Sequence, residues 1–207
     1  MARYLDVHPV NPQPRALAQT VKALRDGGLI VYPTDSCYAL GCLMGNREAL
    51  ERIRSIRRLD SKHHFTLVCR DFAQLGQLVN VNNAAFRLVK ALTPGAVTFI
   101  LPGTKEVPRR LLQEKKHTVG VRIPDHVVAQ ALLAELGEPL LSSTLMLPGD
   151  EEPLSDGWSI KEALDHQVDV VLDSGDCGLE PTTVVDLSDD AVDVVRQGAV
   201  DVGRFVA

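Results

Sequence analysis

Short clusters of hydroxyl side chains are the residues of this sequence whose types and spacing best suit chemistry. They are Pro33-Thr34-Asp35-Ser36, Ser142-Ser143-Thr144 and Pro181-Thr182-Thr183, and each adjoins a short apolar run. Hydroxyl groups and free backbone N–H groups at such places suit the oxygens of a phosphate or a carboxylate. A single cluster of this kind is more often a local turn or cap, but three together predict an anion-binding site.

Two arginines accompany these clusters and strengthen the prediction. Arg122 lies in Gly120-Val121-Arg122-Ile123-Pro124, and Arg196 lies in Val195-Arg196-Gln197-Gly198. A guanidinium group presents a planar pair of donors that matches a carboxylate or a phosphate. Each arginine taken alone could equally form a structural ion pair, so the prediction depends on the whole set.

Common catalytic signatures are absent from the chain. It has no G-x-x-x-x-G-K-[ST], G-x-G-x-x-G, G-x-S-x-G or H-E-x-x-H element. The four cysteines form no C-x-x-C pair, and the only adjacent histidines are His63 and His64, so no metal site is predicted. We expect four reduced thiols, with Cys37 placed to touch a ligand without acting as a nucleophile.

The clusters are positioned by strand and helix patterns that alternate along the chain. Apolar periodicity and caps predict helices over 13–26, 47–58, 83–92 and 126–136, with Phe86 and Val89 facing inward in the third. Strands are predicted over 29–32, 65–69, 97–101, 118–123, 140–144, 168–172, 183–187 and 192–195.

This alternation predicts an α/β fold with a largely parallel or mixed sheet flanked by helices. The short connections among the last three strands predict some antiparallel pairing there. The acidic loop at 148–153 is too short to divide the chain, so we predict one domain over 1–207. Because open α/β sheets bind ligands in the crevice at their strand ends, we expect the hydroxyl clusters to meet in such a crevice.

Charge is distributed very unevenly. Residues 1–124 carry 19 Lys and Arg against 9 Asp and Glu, a balance of +10, whereas residues 125–207 carry 3 against 18, a balance of −15. One basic cluster comprises Arg52, Arg54, Arg57, Arg58 and Lys62, and the other Lys105, Arg109, Arg110, Lys115 and Lys116. A basic run is as often a solvated face as a binding site. Nucleic acid stays open as a partner, because its phosphates bind Lys and Arg, although no recognition motif supports it.

Composition places the chain among ordinary globular proteins. It has 207 residues, of which 45% are apolar and 24% charged. No stretch approaches the roughly 18 apolar residues of a membrane span, and residues 1–6 lack the apolar segment of a secretory signal. We therefore expect a soluble cytoplasmic protein without a membrane partner.

Taken in order, the motifs resemble those of the YrdC/YciO-like superfamily, whose best-known members are threonylcarbamoyl-adenylate synthases. The resemblance begins in residues 27–41, GGLIVYPTDSCYALG, and continues in Thr93-Pro94-Gly95 with Thr98, in 120–124, 139–149, 181–186 and 196–198. The residues around these motifs, including Phe65-Thr66-Leu67 and 98–114, most resemble the YciO branch. The resemblance implies an open, twisted mixed sheet with a positively charged concave cavity.

The resemblance also implies a reaction. The synthases convert L-threonine, bicarbonate and ATP into threonylcarbamoyl-adenylate and pyrophosphate for tRNA modification, with Mg²⁺ accompanying the nucleotide. By position, the threonine side would be Thr34, Arg122 and Thr182, and the nucleotide side Arg57, Ser142, Ser143, Thr144 and Arg196. Ser143 stands between the two sides, and Arg57 is the candidate catalytic residue because charge on the transferring group must be stabilised.

Two positions depart from the synthase pattern. The K-x-R element of the synthases corresponds to Ser55-Ile56-Arg57, with Arg54, Arg58 or Lys62 left to replace the missing lysine charge. The S-x-N element corresponds to Thr144-Leu145-Met146, and methionine cannot donate a hydrogen bond. Losing one aimed donor costs about two to three decades in rate, so altered or reduced synthase activity is expected.

Three hypotheses follow from the sequence. The first is an enzyme that forms or handles an acyl-adenylate from ATP and a threonine-like amino acid. The second is a protein that binds double-stranded RNA or tRNA through the basic clusters. The third is a small-molecule-binding regulatory domain that kept the pocket and lost the chemistry.

Overall fold

The computed structural model describes residues 1–60, 63, 65–189 and 191–203. Its helices are α1 (Pro14–Arg25), α2 (Arg47–Arg57), α3 (Phe72–Leu78), α4 (Asn83–Leu92), α5 (Val127–Leu136) and α6 (Gly157–Leu164). Its strands are β1 (Arg3–Asp6), β2 (Ile30–Tyr32), β3 (Ala39–Leu43), β4 (Thr66–Val68), β5 (Val97–Pro102), β6 (Thr118–Arg122), β7 (Leu140–Thr144), β8 (Val170–Asp173), β9 (Thr183–Asp186) and β10 (Asp193–Arg196).

Local signals explain the bounds of the helices near the hydroxyl clusters. The Asn46 side chain accepts a hydrogen bond of 3.0 Å from the backbone N–H of Ala49, which caps the start of α2. That helix ends where Arg58 turns into the left-handed region at φ 49°. Gly137 ends α5 in the same region at φ 79°, which glycine tolerates. The cap at Asn46 therefore fixes α2, whose last residue, Arg57, projects toward the sheet.

All ten strands belong to one mixed sheet, with the order β1-β8-β2-β3-β7-β4-β6-β5-β9-β10. Strands β8 and β2, β4 and β6, and β5 and β9 pair in parallel, whereas β3, β7 and β10 pair antiparallel with their neighbours. The predicted α/β fold with a mixed sheet is confirmed. The antiparallel pairing expected among the last three strands is found between β9 and β10, whereas β8 lies between β1 and β2 and pairs with both in parallel.

The two faces of the sheet are covered unequally. On one face, α2, α3, α4 and α6 pack against Leu67, Phe99, Val121 and Leu141 in the larger core. On the other face, α1 and α5 cover β8, β2, β3 and the start of β7 in a smaller core. In the part of the chain that the structure describes, no helix covers that second face over β6, β5 and β9. The candidate site forms on this uncovered half.

Several elements escaped the sequence analysis. Strands β1 and β3 and helices α3 and α6 are short, and Gly41 interrupts the apolar run of β3. Phe86 was expected to face inward but is 41% exposed, because only Ala85, Leu88 and Val89 of α4 are buried. None of the described helices combines the length and apolar character needed to cross a membrane.

Candidate ligand-binding cavity

The register of strand pairing creates a polar row across the uncovered half of the sheet. Ser142 of β7 pairs with Thr66 of β4, Thr66 pairs with Gly120 of β6, and Gly120 pairs with Ile100 of β5. Paired residues point to the same face, and so do residues two apart in one strand. The row is therefore extended by Thr144, Arg122 and Thr98, which lie two residues farther along their strands. It also includes Val184, which pairs with Thr98.

Gly120 keeps the middle of this row open. A Cβ atom at that position would lie 3.1 Å from Oγ1 of Thr66 and 3.3 Å from Cγ2 of Thr98. The glycine therefore provides a depression between two hydroxyl side chains. The intervening residues Val119 and Val121 point to the larger core and are fully or almost fully buried.

Two adjoining cavities lie over the row. The arginine cavity, about 190 Å³, is lined by Arg57, His63, Phe65, Thr66, Thr98, Ile100, Gly120, Ser142, Ser143, Thr144, Met146, Pro181, Thr182, Val184 and Arg196. The loop cavity, about 30 Å³, is lined by Thr34, Ser36, Cys37, Ala39, Thr66, Val68, Thr98, Arg122, Ser142, Ser143, Thr144 and Thr182. All the predicted site residues line one or both. The hydroxyl clusters do adjoin strand ends, but the cavity floor is the face of the sheet rather than a strand-end crevice.

Arg122 in the loop cavity is paired within the protein. Its Nη2 lies 2.5 Å from Oδ1 of Asp35, and its Nη1 donates to Oγ of Ser36 at 3.0 Å. Its Nε donates to the carbonyl of Gly95 at 3.3 Å. The side chains of Arg122 and Asp35 are 7% and 14% exposed, so this is a buried, charge-balanced pair. The pair fixes the loop after β2 against the end of β6.

The same loop holds Thr34 and Cys37. Oγ1 of Thr34 donates to the carbonyl of Cys37 at 2.6 Å, which closes a tight turn. Burial raises the pKa of the Cys37 thiol to about 11, although the positive charges of Arg122 and Arg196 oppose that rise. Cys37 therefore stays protonated near neutral pH and is a poor nucleophile. All four cysteines, Cys37, Cys42, Cys69 and Cys177, are free.

The guanidinium groups of Arg57 and Arg196 face the arginine cavity. Nη1 of Arg57 donates to Oγ of Ser143 at 2.5 Å, and its Nε lies 3.4 Å from the carbonyl of Met146. Nε and Nη2 of Arg196 donate to the carbonyl of Thr182 at 3.1 and 2.8 Å. All of these acceptors are neutral. Within the described residues, neither arginine forms an ion pair with a carboxylate.

The electrostatic state of these two arginines is unfavourable without a ligand. Burial lowers the pKa of Arg57, and the neighbouring charge of Arg196 lowers it further. Burial also lowers the pKa of Arg196. Arg57 is partly buried and has only neutral partners among the described residues, so it lacks the compensation that buried charges normally have, whereas Arg196 is exposed at the edge of the cavity. An anion between them would supply it.

Hydroxyl groups of the floor are oriented by bonds within the sheet. Tyr32, which is fully buried, donates its hydroxyl hydrogen to Oγ of Ser142 at 2.7 Å, while Ser142 donates to the carbonyl of Leu40 at 3.2 Å. Oγ1 of Thr98 donates to Oγ1 of Thr182 at 3.1 Å. Ser142 is thus held by the strands beside it, and its hydroxyl hydrogen is already used.

A comparison with models of protein families matches residues 22–198 to the Sua5/YciO/YrdC family, which is described as Telomere recombination. The chain belongs to the Sua5/YciO/YrdC family. The resemblance drawn from the motifs is therefore confirmed.

Relatives within the Sua5/YciO/YrdC family differ in their sequence identity to this chain. The chain is 54% identical to YciO of Escherichia coli K12 over 206 residues, covering 100% of both chains. The crystal structure of E. coli YciO superimposes with a TM-score of 0.95 over 99% of this chain and 100% of that one, at 55% identity. The threonylcarbamoyl-AMP synthase of Vibrio vulnificus YJ016 is 33% identical over 159 residues, or 75% of this chain and 84% of the enzyme.

A more distant structure shares the fold. P. abyssi Sua5, in a crystal structure with L-threonine, has a TM-score of 0.89 at 23% identity, over 98% of this chain and 59% of that one. At this identity the likeness concerns the fold alone. YciO and Sua5 structures thus agree with the open mixed sheet seen here.

The positions that depart from the synthase motifs of the family lie in different surroundings. Ser55 is exposed on α2 and lines neither cavity, because it is two residues from Arg57 and so lies on another side of the helix. Arg54 pairs with Glu51 at 3.0 Å and Arg58 is exposed, so the expectation that either replaces the lysine in the cavity is wrong. Lys62 lies outside the described residues. Met146, in contrast, lines the arginine cavity.

His63 is a cavity residue that the sequence analysis missed. Strand β4 begins at Thr66, so Ser143 pairs only with β3, and His63 reaches it from the open side. Nε2 of His63 lies 3.5 Å from Oγ of Ser143. In the sequence His63 stands out only as half of a histidine pair, whose second member, His64, is outside the described residues. A ligand-facing single histidine leaves no spacing pattern that could have revealed it.

The residues around both cavities fit an anion and do not fit a protein-bound cation. No Asp or Glu is among the lining residues, and the described chain has no group of three or more His, Cys, Asp or Glu that could hold a metal. Side chains of the cavity thus offer Mg²⁺ no carboxylate ligand. Any Mg²⁺ would have to be held by phosphate oxygens and water.

Most of the predicted basic clusters lie away from the cavities. In the first, Arg52 pairs with Asp169 at 2.8 Å, and Arg57 alone of the members that the structure describes lines a cavity. In the second, Arg110 donates to backbone carbonyls and Lys116 pairs with Asp189 at 2.7 Å. Three exposed members of the second cluster form no ion pair within the described residues: Lys105, Arg109 and Lys115.

Proposed function

We propose that this protein binds ATP, or an adenylate derived from it, together with a threonine-like amino acid, and forms threonylcarbamoyl-AMP with release of pyrophosphate. The observation that carries the proposal is the pair Arg57 and Arg196. Both face one cavity without a carboxylate partner in the described chain, and that cavity opens into a smaller one beside Arg122. Uncompensated guanidinium groups favour a ligand with several negative oxygens, such as a nucleotide phosphate.

The dimensions and surfaces of the two cavities suit different parts of the substrates. Ile100, Val184 and Phe65 give the arginine cavity an apolar wall for a nucleoside, beside the two arginines for its phosphates. The loop cavity, about 30 Å³, has room for little more than one water molecule, so it would take only the carboxylate end of an amino acid, the rest of which would lie in the arginine cavity. Its hydroxyl groups, from Thr34 and Thr182 among others, suit an amino-acid carboxylate. Two relatives support a threonine-like substrate, since the V. vulnificus protein is a threonylcarbamoyl-AMP synthase and P. abyssi Sua5 is complexed with L-threonine.

The reaction would take place where the cavities join. Threonine and bicarbonate give a carbamate and water; a carbamate oxygen then attacks the α-phosphorus, and the bond to pyrophosphate breaks. Ser143 and Thr144 line both cavities, so the reacting atoms would lie beside them. Arg57 would stabilise the negative charge on the phosphoryl oxygens, which is the largest demand of such a step. Mg²⁺ would arrive with ATP and add charge neutralisation.

Met146 is the reason to expect slow turnover. It occupies the place of the synthase asparagine in the arginine cavity and offers no donor there. We therefore expect slower turnover than in enzymes that carry the asparagine. Ligand binding depends on the arginines and should be retained even where turnover is low.

A pyrophosphate-release assay tests the proposal. Purified protein with ATP, Mg²⁺, L-threonine and bicarbonate should release pyrophosphate in a threonine-dependent manner, with threonylcarbamoyl-AMP detected by mass spectrometry. Arg57→Met should abolish the release, whereas Arg58→Met, which alters an exposed arginine next to it, should not. Nucleotide binding without product would instead support a regulatory binding domain. Absence of any nucleotide binding by the wild-type protein would contradict the proposal.

Binding of structured RNA is a second candidate. It is favoured by Lys105, Arg109 and Lys115, which are exposed and form no ion pair in the described part of the chain. Such binding should weaken steeply with added salt, because counterions are released from RNA phosphates. Fluorescence anisotropy with tRNA would measure it, and replacement of these three residues by alanine should lower the salt dependence. Equal affinity of wild type and variant would rule out this surface.

A further inference from the structure

His63 lies beside Ser143, where both side chains could contact the same ligand oxygen. It lines the arginine cavity with Arg57, Ser143 and Arg196, just before β4 begins. Its Nε2 and Oγ of Ser143 are 3.5 Å apart, which is longer than an ordinary hydrogen bond between these groups. Polar groups of ligand sites are often this loosely arranged before the ligand binds.

The hydrogen bonds of Ser143 leave it able to serve the same ligand. Nη1 of Arg57 donates to Oγ of Ser143 at 2.5 Å, so the hydroxyl accepts in that contact and its own hydrogen is not used there. That hydrogen points either to Nε2 of His63 or to a ligand. An oxygen that enters between the two side chains would accept from both.

The ring of His63 is held in place by its neighbours. It meets the ring of Phe65 edge-on, with centroids 5.2 Å apart, and Phe65 is only 3% exposed. The guanidinium of Arg54 lies over Phe65 at 5.6 Å. The imidazole therefore loses little conformational entropy when a ligand binds, which favours its use as a contact.

The charge already present in the cavity explains why a histidine suits this place. Arg57 and Arg196 repel each other across the cavity, since the charge of Arg196 lowers the pKa of Arg57. An imidazole can add one directed N–H donor without the permanent positive charge of a lysine. A lysine would add both the charge and its repulsion.

We infer that His63 is a phosphate-binding residue that donates from Nε2 to a phosphate oxygen of the nucleotide, beside Arg57 and Ser143. This inference rests on the proposed function, because it needs a nucleotide in the arginine cavity.

Calorimetric titration with AMP and with adenosine tests the inference, because the two ligands differ only in the phosphate. His63→Leu removes the donor and keeps an apolar contact with Phe65. It should weaken AMP about tenfold or more, the usual effect of losing a hydrogen bond to a charged group, and leave adenosine unchanged. His63→Gln, which retains an N–H donor of similar reach, should recover most of the AMP affinity. His166→Leu is the control, since His166 is 78% exposed and lines neither cavity.

The outcomes separate the two proposals. If wild-type protein binds AMP and His63→Leu binds it equally well, the role of His63 is wrong while the proposed function stands. Equal weakening of AMP and adenosine would show a structural effect and would also overturn it. If wild-type protein binds neither AMP nor ATP, the proposed function fails and this inference fails with it.

Discussion

Arg122 is buried and Arg57 is partly buried, yet the charges around the two arginines differ. Arg122 is paired with Asp35 at 2.5 Å and is 7% exposed. Among the described residues Arg57 has only neutral acceptors, and a second arginine lowers its pKa. Charge balance ties the first arginine to the folded structure, whereas the proposed function makes the second one the partner of an anion. Two arginines that look alike in the sequence thus differ in whether the protein itself balances their charge.

The largest effect should come from breaking the balanced pair. Arg122→Ala leaves Asp35 as a buried charge without its partner, which should lower the free energy of unfolding by about 3–5 kcal/mol. Urea unfolding followed by circular dichroism measures the loss. Lys22→Ala breaks the pair with Asp26, whose side chains are 70% and 63% exposed, and should cost less than about 1 kcal/mol. Similar losses of stability in the two variants would show that burial does not make the Arg122 pair more important than an exposed pair.

Burial should outweigh the positive charge of Arg122 at the nearby thiol of Cys37. The pKa of Cys37 is about 11 when folded against 9.0 as the ordinary value, so the folded protein keeps a proton that the unfolded chain releases. The stability from this thiol is fully present below pH 9 and is lost as pH rises through 11, amounting to about 1–3 kcal/mol.

Unfolding measurements at pH 7 and pH 10.5 check this behaviour. Wild-type protein should lose more stability between the two values than Cys37→Ala does. If Arg122 and Arg196 controlled the thiol instead, its pKa would be lowered and the difference between the proteins would have the opposite sign.

The unbalanced cavity should respond to a new neutral donor. Met146→Asn restores an amide to the arginine cavity and should raise pyrophosphate release about tenfold or more. Ser55→Lys is the matched comparison, because it restores the other synthase residue at an exposed position outside both cavities. It should leave turnover unchanged. Activation by Ser55→Lys would mean that the charge at α2 reaches the ligand after all.

The smallest effect concerns stability with an anion present. Pyrophosphate at ten times its Kd should stabilise the wild-type protein by about 1.4 kcal/mol through mass action. Arg57→Met should remove most of this gain while changing the stability of the ligand-free protein by less than about 1 kcal/mol. Thermal unfolding with and without pyrophosphate measures both. A large loss of ligand-free stability would place Arg57 with Arg122 as a structural residue.

The sequence predicted the parts of this molecule that depend on local patterns. The apolar spacing of helices such as α1 and α4 survives in the fold, and both lie within a residue or two of their predicted bounds. The eight site residues predicted from the motifs also line the cavities. Both kinds of information are written in neighbouring residues.

Other features depend on contacts between distant segments and could not be predicted. The alternation in Thr118-Val119-Gly120-Val121-Arg122 hints at a polar face, but only the pairing of Thr66 with Gly120 shows where that face lies. Whether Arg122 has a partner depends on Asp35, 87 residues away. The approach of His63 to Ser143 depends on where β4 begins. Spacing within the chain contains none of these distances.

The period of two along the cavity strands has an evolutionary consequence. Along β4, β5, β6 and β7, alternate residues such as Thr66, Thr98, Gly120 and Ser142 face the cavities and most residues between them face the larger core, although Ser143 at the end of β7 also lines both cavities. Substitutions at ligand-facing positions such as Thr98 or Ile100 can therefore alter specificity while the core stays intact. An insertion or deletion of one residue would instead exchange the two faces. Descendants of this fold can explore new ligands by point mutation, but hardly by changes in strand length.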